Sequence, residues 1–490
     1  MGSDPPYLGM MASMRARRTG LTAGILLMLV AALSCDGAAD ESTTPLHDYV
    51  TLTDRIPPVI DVTAYHGEEG RQAMADPSLF FLGPKDGDAT EAPLIVDSSG
   101  EPVWIGPDVR GYDLRVQHYQ GQPVLTWWRR ADDAKRGAVV LMNQAYRPIA
   151  TVSTHGVHPD FHETTITPRG TALLIGHRTI ARDLSSLGGP SHGFVKDSVV
   201  QEVDIATGRV LFEWSALDHV PLTDSRVKIR ADAYGGGTKG DAWDFAHINS
   251  ITEDGDSLLI SARNTCAVYR VNRTTGEVDW TLGGESSDFR FVNAARFLWQ
   301  HDAKRQPDGT ITIFDNHGTS KRGGESRGIR LSLDMANRAA TTVREYRLPG
   351  GRLAGSQGNM QVRANGNVIL GWGASPTYSE FTPDGQLLLD ADFGSGESYR
   401  VYRLPWVGMP TTKPTLVVEN GTASVSWNGA TEVASWRFLA GADADSASEV
   451  KTVPRDGFET SAEVPDQPYV AVEALDADGT VLGTGEVVGN

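Results

Sequence analysis

Three histidines stand at one distance from a recurring glycine: His162, His247 and His301 lie eight residues before Gly170, Gly255 and Gly309. Counting eight forward from Gly121, Gly170, Gly255 and Gly309 gives Arg129, Arg178, Arg263 and His317. Histidine acts as base, acid, nucleophile or ligand near neutral pH, and arginine matches planar or tetrahedral oxyanions through its fork of N–H donors. Together the two types predict an anion site capable of covalent chemistry. A single histidine at a strand start most often bonds loop backbone, but three in one register argue for a shared site.

The elements that must hold these side chains are short β-hairpins. A tight-turn glycine recurs at Gln120-Gly121, Arg169-Gly170, Asp254-Gly255, Asp308-Gly309 and Asn365-Gly366, and each is followed by an apolar run such as Leu258-Leu259-Ile260-Ser261 or Ile311-Thr312-Ile313-Phe314. Such pairs read as hairpins. Second turns at Thr207-Gly208, Thr275-Gly276 and Asp384-Gly385 give each repeat about four antiparallel strands, which is a propeller blade. Residues 79–106 supply the strands of a further blade without its own innermost hairpin, and the run 399–406 is expected to return, complete it and close the ring. The expectation is an all-β protein: a six-bladed propeller over residues 49–408.

In an antiparallel hairpin, positions equally far before and after the turn are neighbours. The histidines and arginines therefore fall at the open ends of the inner hairpins, near the axis. The long connections 179–197 and 217–241 belong to the same face, and long loops on a rigid scaffold commonly carry function. The stretch Gly235-Gly236-Gly237-Thr238-Lys239-Gly240 lacks the spacing of a phosphate-cradling loop and is expected to be a mobile loop over the mouth.

Composition narrows the class. The chain has 490 residues, net charge −18, 53 glycines and 26 prolines. It is too long for one compact domain, and so acidic a chain is a poor partner for nucleic acid. After Pro410, Thr411-Thr412-Lys413-Pro414 reads as a linker, and residues 411–490 as a small β-sandwich of fibronectin type III or immunoglobulin type. Asp443, Asp445 and Glu449 in it read as a solvated acidic loop. At the other end, Arg15, Arg17 and Arg18 precede an apolar run ending in Ala32-Leu33-Ser34-Cys35. Residues 1–35 form a signal segment, with Met14 as the expected start and Cys35 as a candidate lipidation site. The protein is thus expected to be exported to the cell envelope and to meet the membrane through a lipid anchor, with residues 36–48 as a flexible tether. Cys266, the other cysteine, has no disulfide partner and reads as a packed strand residue.

The local strings are Phe245-Ala246-His247-Ile248-Asn249-Ser250-Ile251, Ser261-Ala262-Arg263-Asn264, Trp280-Thr281-Leu282-Gly283-Gly284, Gln300-His301-Asp302-Ala303, Phe314-Asp315-Asn316, Gly358-Asn359-Met360-Gln361 and Gly371-Trp372-Gly373. In this order and spacing, over roughly residues 75–408, they resemble the arylsulfotransferase family. The resemblance implies a six-bladed propeller that moves a sulfuryl group from an aryl sulfate to a phenol, with no nucleotide donor and no cofactor. It implies His301 as the nucleophile that becomes a transient sulfohistidine. His247, Arg263 and His162 are implied as its catalytic partners. Asn249, Arg178, His317 and Asn359 are taken as candidate substrate contacts. Two departures stand out: the disulfide of familiar members cannot form here, and the accessory sandwich is C-terminal. The same residues admit two other readings, a histidine-ligated metal enzyme and a non-catalytic envelope propeller that binds a sulfated or anionic ligand.

Overall fold

The computed structural model describes residues 45–130, 137–231, 234–318 and 324–488. The signal segment with Met14 and Cys35, and most of the tether, lie outside the described residues.

Period-two alternation dictates the architecture. In the strand Thr171–Arg182, Ala172 and Leu174 pack to one side and Leu173 and Ile175 to the other. In Ser257–Ala262, Leu258 and Ile260 face back while Leu259 faces forward. A sheet with two apolar faces needs a neighbour on each side, and a ring of sheets supplies both.

Six such sheets form. Blade 1 combines Leu79–Leu82, Leu94–Val96 and Pro102–Ile105 with the late strand Tyr402–Leu404. Blades 2, 3 and 4 run from Tyr112–Tyr119, His158–Ile166 and Ile248–Asp254, and blades 5 and 6 from His301–Arg305 and Asn359–Val362. These innermost strands contact one another in cyclic order, blade 6 returning to blade 1. One apolar cluster fills each of the six gaps. The protein is a closed six-bladed β-propeller, and the returning strand pairs Leu79 with Leu404. Turn glycines such as Gly255 (φ +64°) and Gly309 (φ +83°) take the left-handed backbone that other residues resist. Two strands were not read from sequence. Asp61–Ala64 covers the outer edge of blade 6, and Arg290–Val292 runs parallel along the outer edge of blade 5. Both protect edges that would otherwise be free to pair.

The C-terminal unit is a sandwich of three strands against four around Trp436, Phe438, Val425 and Val472. It is docked, with Asn428 exchanging two 2.8 Å hydrogen bonds with the backbone of Ile105. The segment read as a linker is also held, since an Arg147 Nη2–H donates to Thr411 Oγ1 at 2.9 Å.

Three loop expectations change. Residues 179–197 are largely a continuation of the blade 3 hairpin, paired from Arg178↔Asp197 to Arg182↔Gly193. The glycine stretch is hydrogen-bonded: the Arg230 N–H donates to Gly235 O, and Phe194 N–H to Gly237 O. Cys266 lies in a turn before the strand Ala267–Asn272, fully buried at φ +52°.

Charged residues fill the centre of the ring. Arg400 Nη1 lies 2.8 Å from Glu163 Oε2 and 3.2 Å from Asp113 Oδ1. Arg115 pairs with Glu163 and Asp113, and Lys304 Nζ lies 2.7 Å from Asp302 Oδ1. The Tyr402 hydroxyl donates to Asp113 at 3.0 Å. Three cations thus face three carboxylates contributed by blades 2, 3, 5 and 1.

Candidate active site

Bulges at the starts of the inner strands aim the site. Pairing shifts between Tyr112 and Arg115, Pro159 and Thr164, Ile248 and Ser250, and His301 and Lys304. Each bulge turns extra side chains toward the axis, with left-handed backbone at Asp113 (φ 55°), His247 (φ 56°) and Asp302 (φ 55°). Asp113 also lies eight residues before its turn glycine, Gly121.

The bulges bring together His162, His247, His301 and Arg263. The His162 and His247 rings meet edge to face with centroids 4.8 Å apart. The Arg263 N–H donates to His247 O at 2.9 Å, so these two are the hairpin neighbours expected from counting. Gln300 fixes the strand start beside them, its amide donating to Ser261 Oγ, Ala262 O and Ala267 O.

The tautomer of His301 follows from Asn316. The Asn316 amide N–H groups donate to Ala354 O at 2.8 Å and Gln357 O at 3.0 Å, which turns its oxygen toward His301 Nδ1 at 2.7 Å. Nδ1 therefore carries the proton and Nε2 the lone pair. That lone pair accepts a 3.2 Å hydrogen bond from the Gln357 N–H. Burial holds the His301 imidazole well below its ordinary range, with the Arg263 charge and the two other histidines adding to the effect. The ring is neutral at physiological pH.

The other two histidines are backed by carboxylates that the sequence reading did not single out. His162 Nδ1 bonds Asp160, and His247 Nδ1 lies 2.8 Å from Asp244 Oδ2. The same Asp244 oxygen receives Lys196 Nζ at 3.2 Å. Asp244 is brought there because Trp243 pairs with the extended blade 3 hairpin at Val195. Burial lowers His247, with Asp244 opposing. The spacings Asp160-x-His162 and Asp244-x-x-His247 were the available signals.

The remaining candidates are placed differently. Asn249 is fully buried beside the group, its amide donating to Gln300 O at 2.7 Å while its oxygen has no protein partner. Arg178 is held by Asp197 and Glu213, at 3.1 and 3.0 Å. The bulge in blade 3 sets His158 against His177, so equal counting no longer brings Arg178 beside His162. His317 lies by Leu298, whose carbonyl accepts its N–H at 3.0 Å. Asn359 spends both ends of its amide on the backbone of Val401, joining blade 6 to the closing strand.

His177 supplies a pH test. Burial, helped by Lys196, pushes its imidazole down to about 4, against the raising effect of Asp160 and Asp244. A histidine depressed on folding leaves stability complete above pH 6.5 and erodes it as pH falls toward 4, because the unfolded chain takes protons that the native state refuses. His158 and Lys196 face the same ring, and Asp160 and Asp244, held below the carboxylate range, stay ionised across this window. Tm is expected to fall between these pH values, with each such histidine contributing up to about 1.4 kcal/mol per pH unit. His177→Gln is expected to flatten the Tm profile, and an unchanged slope contradicts this assignment.

A family model described as arylsulfotransferase (ASST) matches residues 115–394. A search of curated proteins returns no match. Among solved structures, a protein of unknown function from Bacteroides caccae aligns at TM-score 0.41 and 14% identity, covering 67% of this chain and 99% of that one. Virginiamycin B lyase from Staphylococcus aureus, an inactive variant with quinupristin, aligns at TM-score 0.35 and 8% identity, covering 76% and 97%. The propeller domain of Myceliophthora thermophila Cps50 aligns at TM-score 0.32 and 11% identity, covering 65% and 94%. The matched family segment exceeds half of the 490 residues and contains His162, His247, Arg263 and His301, and the chain belongs to the arylsulfotransferase family.

Proposed function

We propose that the protein carries a sulfuryl group from an aryl sulfate ester to a phenol in two half-reactions through sulfo-His301, with no nucleotide donor. The observation that carries this is the Asn316-locked tautomer, which leaves a neutral ring whose Nε2 lone pair is engaged only by the Gln357 N–H, a bond that attack on sulfur displaces. In the first half-reaction Nε2 attacks sulfur as the S–O bond to the aryl group breaks. The departing phenolate takes a proton from His247 or His162. In the second, that histidine removes the acceptor's proton, the phenol oxygen attacks sulfur, and the N–S bond returns its electron pair to Nε2. Arg263 holds sulfuryl oxygens throughout, which suits a loose transition state governed by positioning and charge. Asn249 supports the site from beneath, its amide holding the Gln300 carbonyl next to His301. The same reading has the protein exported to the envelope and held there by lipid on Cys35.

Peptide mapping after alkaline quench tests the intermediate. With 4-nitrophenyl sulfate and no phenol, the peptide containing His301 is expected to gain the mass of one SO3 and to lose it when phenol is added. Rapid phenol-dependent transfer with no such mass on His301 would indicate direct displacement instead.

A further inference from the structure

A phenol from the chain itself is docked in this site. Tyr234 belongs to the long segment between blades 3 and 4, and its hydroxyl accepts a 3.2 Å hydrogen bond from Arg263 Nη1. The guanidinium also lies over two aromatic rings, 5.9 Å from the centroid of Tyr234 and 5.2 Å from that of Trp299. Tyr234 is fixed at its backbone, where its carbonyl accepts the Asp244 N–H at 2.8 Å and its N–H donates to Arg230 O at 3.3 Å. Through Asp244 it shares a support with His247. Among the described residues, no other tyrosine hydroxyl bonds a member of the His/Arg group. Tyr399, whose ring lies 5.6 Å from His162, turns its hydroxyl to the Asn249 carbonyl at 3.4 Å.

The arginine that holds sulfuryl oxygens and the nucleophilic histidine meet at one short segment, Arg263 Nη2 donating to Gly355 O at 3.4 Å and His301 Nε2 accepting the Gln357 N–H at 3.2 Å. A phenolic hydroxyl on that arginine has the chemistry of an acceptor and is already oriented by its hydrogen bond. We propose that Tyr234 is a self-modification site, sulfated from sulfo-His301 when no external phenol is present. The Tyr234 oxygen attacks sulfur, the S–O bond forms as the N–S bond breaks, and the electron pair returns to His301 Nε2. The phenolic proton passes to the histidine base that serves an external acceptor. The product is an aryl sulfate anion against Arg263, which occupies part of the anion site and slows entry of a second donor. It is itself a donor by chemical class, so excess phenol draws the sulfuryl group back through His301.

This inference rests on the proposed transfer through His301. The test is the burst of 4-nitrophenol when the full chain meets 4-nitrophenyl sulfate without phenol, together with peptide mapping. Wild type is expected to release about two equivalents in two phases, and Tyr234→Phe about one in a single phase. The slow phase should match SO3 appearing on the Tyr234 peptide. Preincubation with donor alone should slow the first subsequent turnover in wild type and not in Tyr234→Phe. A one-equivalent burst with an unmodified Tyr234 peptide overturns this inference alone. Absence of any release by wild type overturns both it and the reading beneath it.

Discussion

His301→Ala is expected to lower kcat/KM for phenol-dependent transfer from 4-nitrophenyl sulfate by at least about 10³-fold, near 4 kcal/mol of transition-state stabilisation. The change removes the ring whose Nε2, unprotonated because of the Asn316 lock and resting on the Gln357 N–H, is the proposed nucleophile. It leaves Arg263 and the carboxylate-backed His162 and His247 pair in place. Donor affinity, measured by calorimetry, should therefore survive, since anion binding rests on the guanidinium. Added imidazole should restore part of the rate by filling the vacated space. Transfer kept within about tenfold of wild type would contradict a covalent route. If both proteins bind sulfated ligands and neither forms product, recognition without turnover becomes the better reading.

The second large effect is on stability. Arg400→Met should cost about 3–5 kcal/mol in chemical denaturation, the scale for removing one partner of a buried charge network. Arg400 is fully buried and answers both Glu163 and Asp113. It also donates to Asn249 O at 3.1 Å, so its loss reaches the strand that carries Asn249 and begins directly after His247. Its substitution leaves Glu163, Asp113 and Asp302 with only Arg115 and Lys304 to balance them. Adding Glu163→Gln should recover part of the loss, and the double-mutant cycle should show coupling. A cost below about 1 kcal/mol would mean that water already screens the ring centre.

The blades were legible because a propeller repeats one pattern. The turn glycines set a register, and that register found His162, His247 and His301 without any structure. It also contains Asp113, eight before Gly121, a carboxylate in a register otherwise marked by histidines. Counting across the hairpin works at His247 and Arg263 in blade 4. It fails for Arg178 and His317, because bulges insert residues on one strand only and shift every later neighbour. Asp244 and Lys196 were illegible for another reason: they meet because an irregular segment lies along the extended blade 3 hairpin. Long-range pairing of that kind leaves no periodic trace in the chain.

The closing strand also decides when the protein can exist. Leu79 waits for Leu404, and Arg400, which neutralises carboxylates from blades 2 and 3, arrives with that same late strand. Blades 2 to 5 form wholly from contiguous chain, and blade 6 does so but for its outer strand Asp61–Ala64, so most of the ring assembles locally while its two ends remain raw apolar faces. The final joint carries the loop-closure entropy of nearly the whole domain, and with it the uncompensated charge at the centre. Folding is thus a race between these distant pairings and association of the open faces with other molecules.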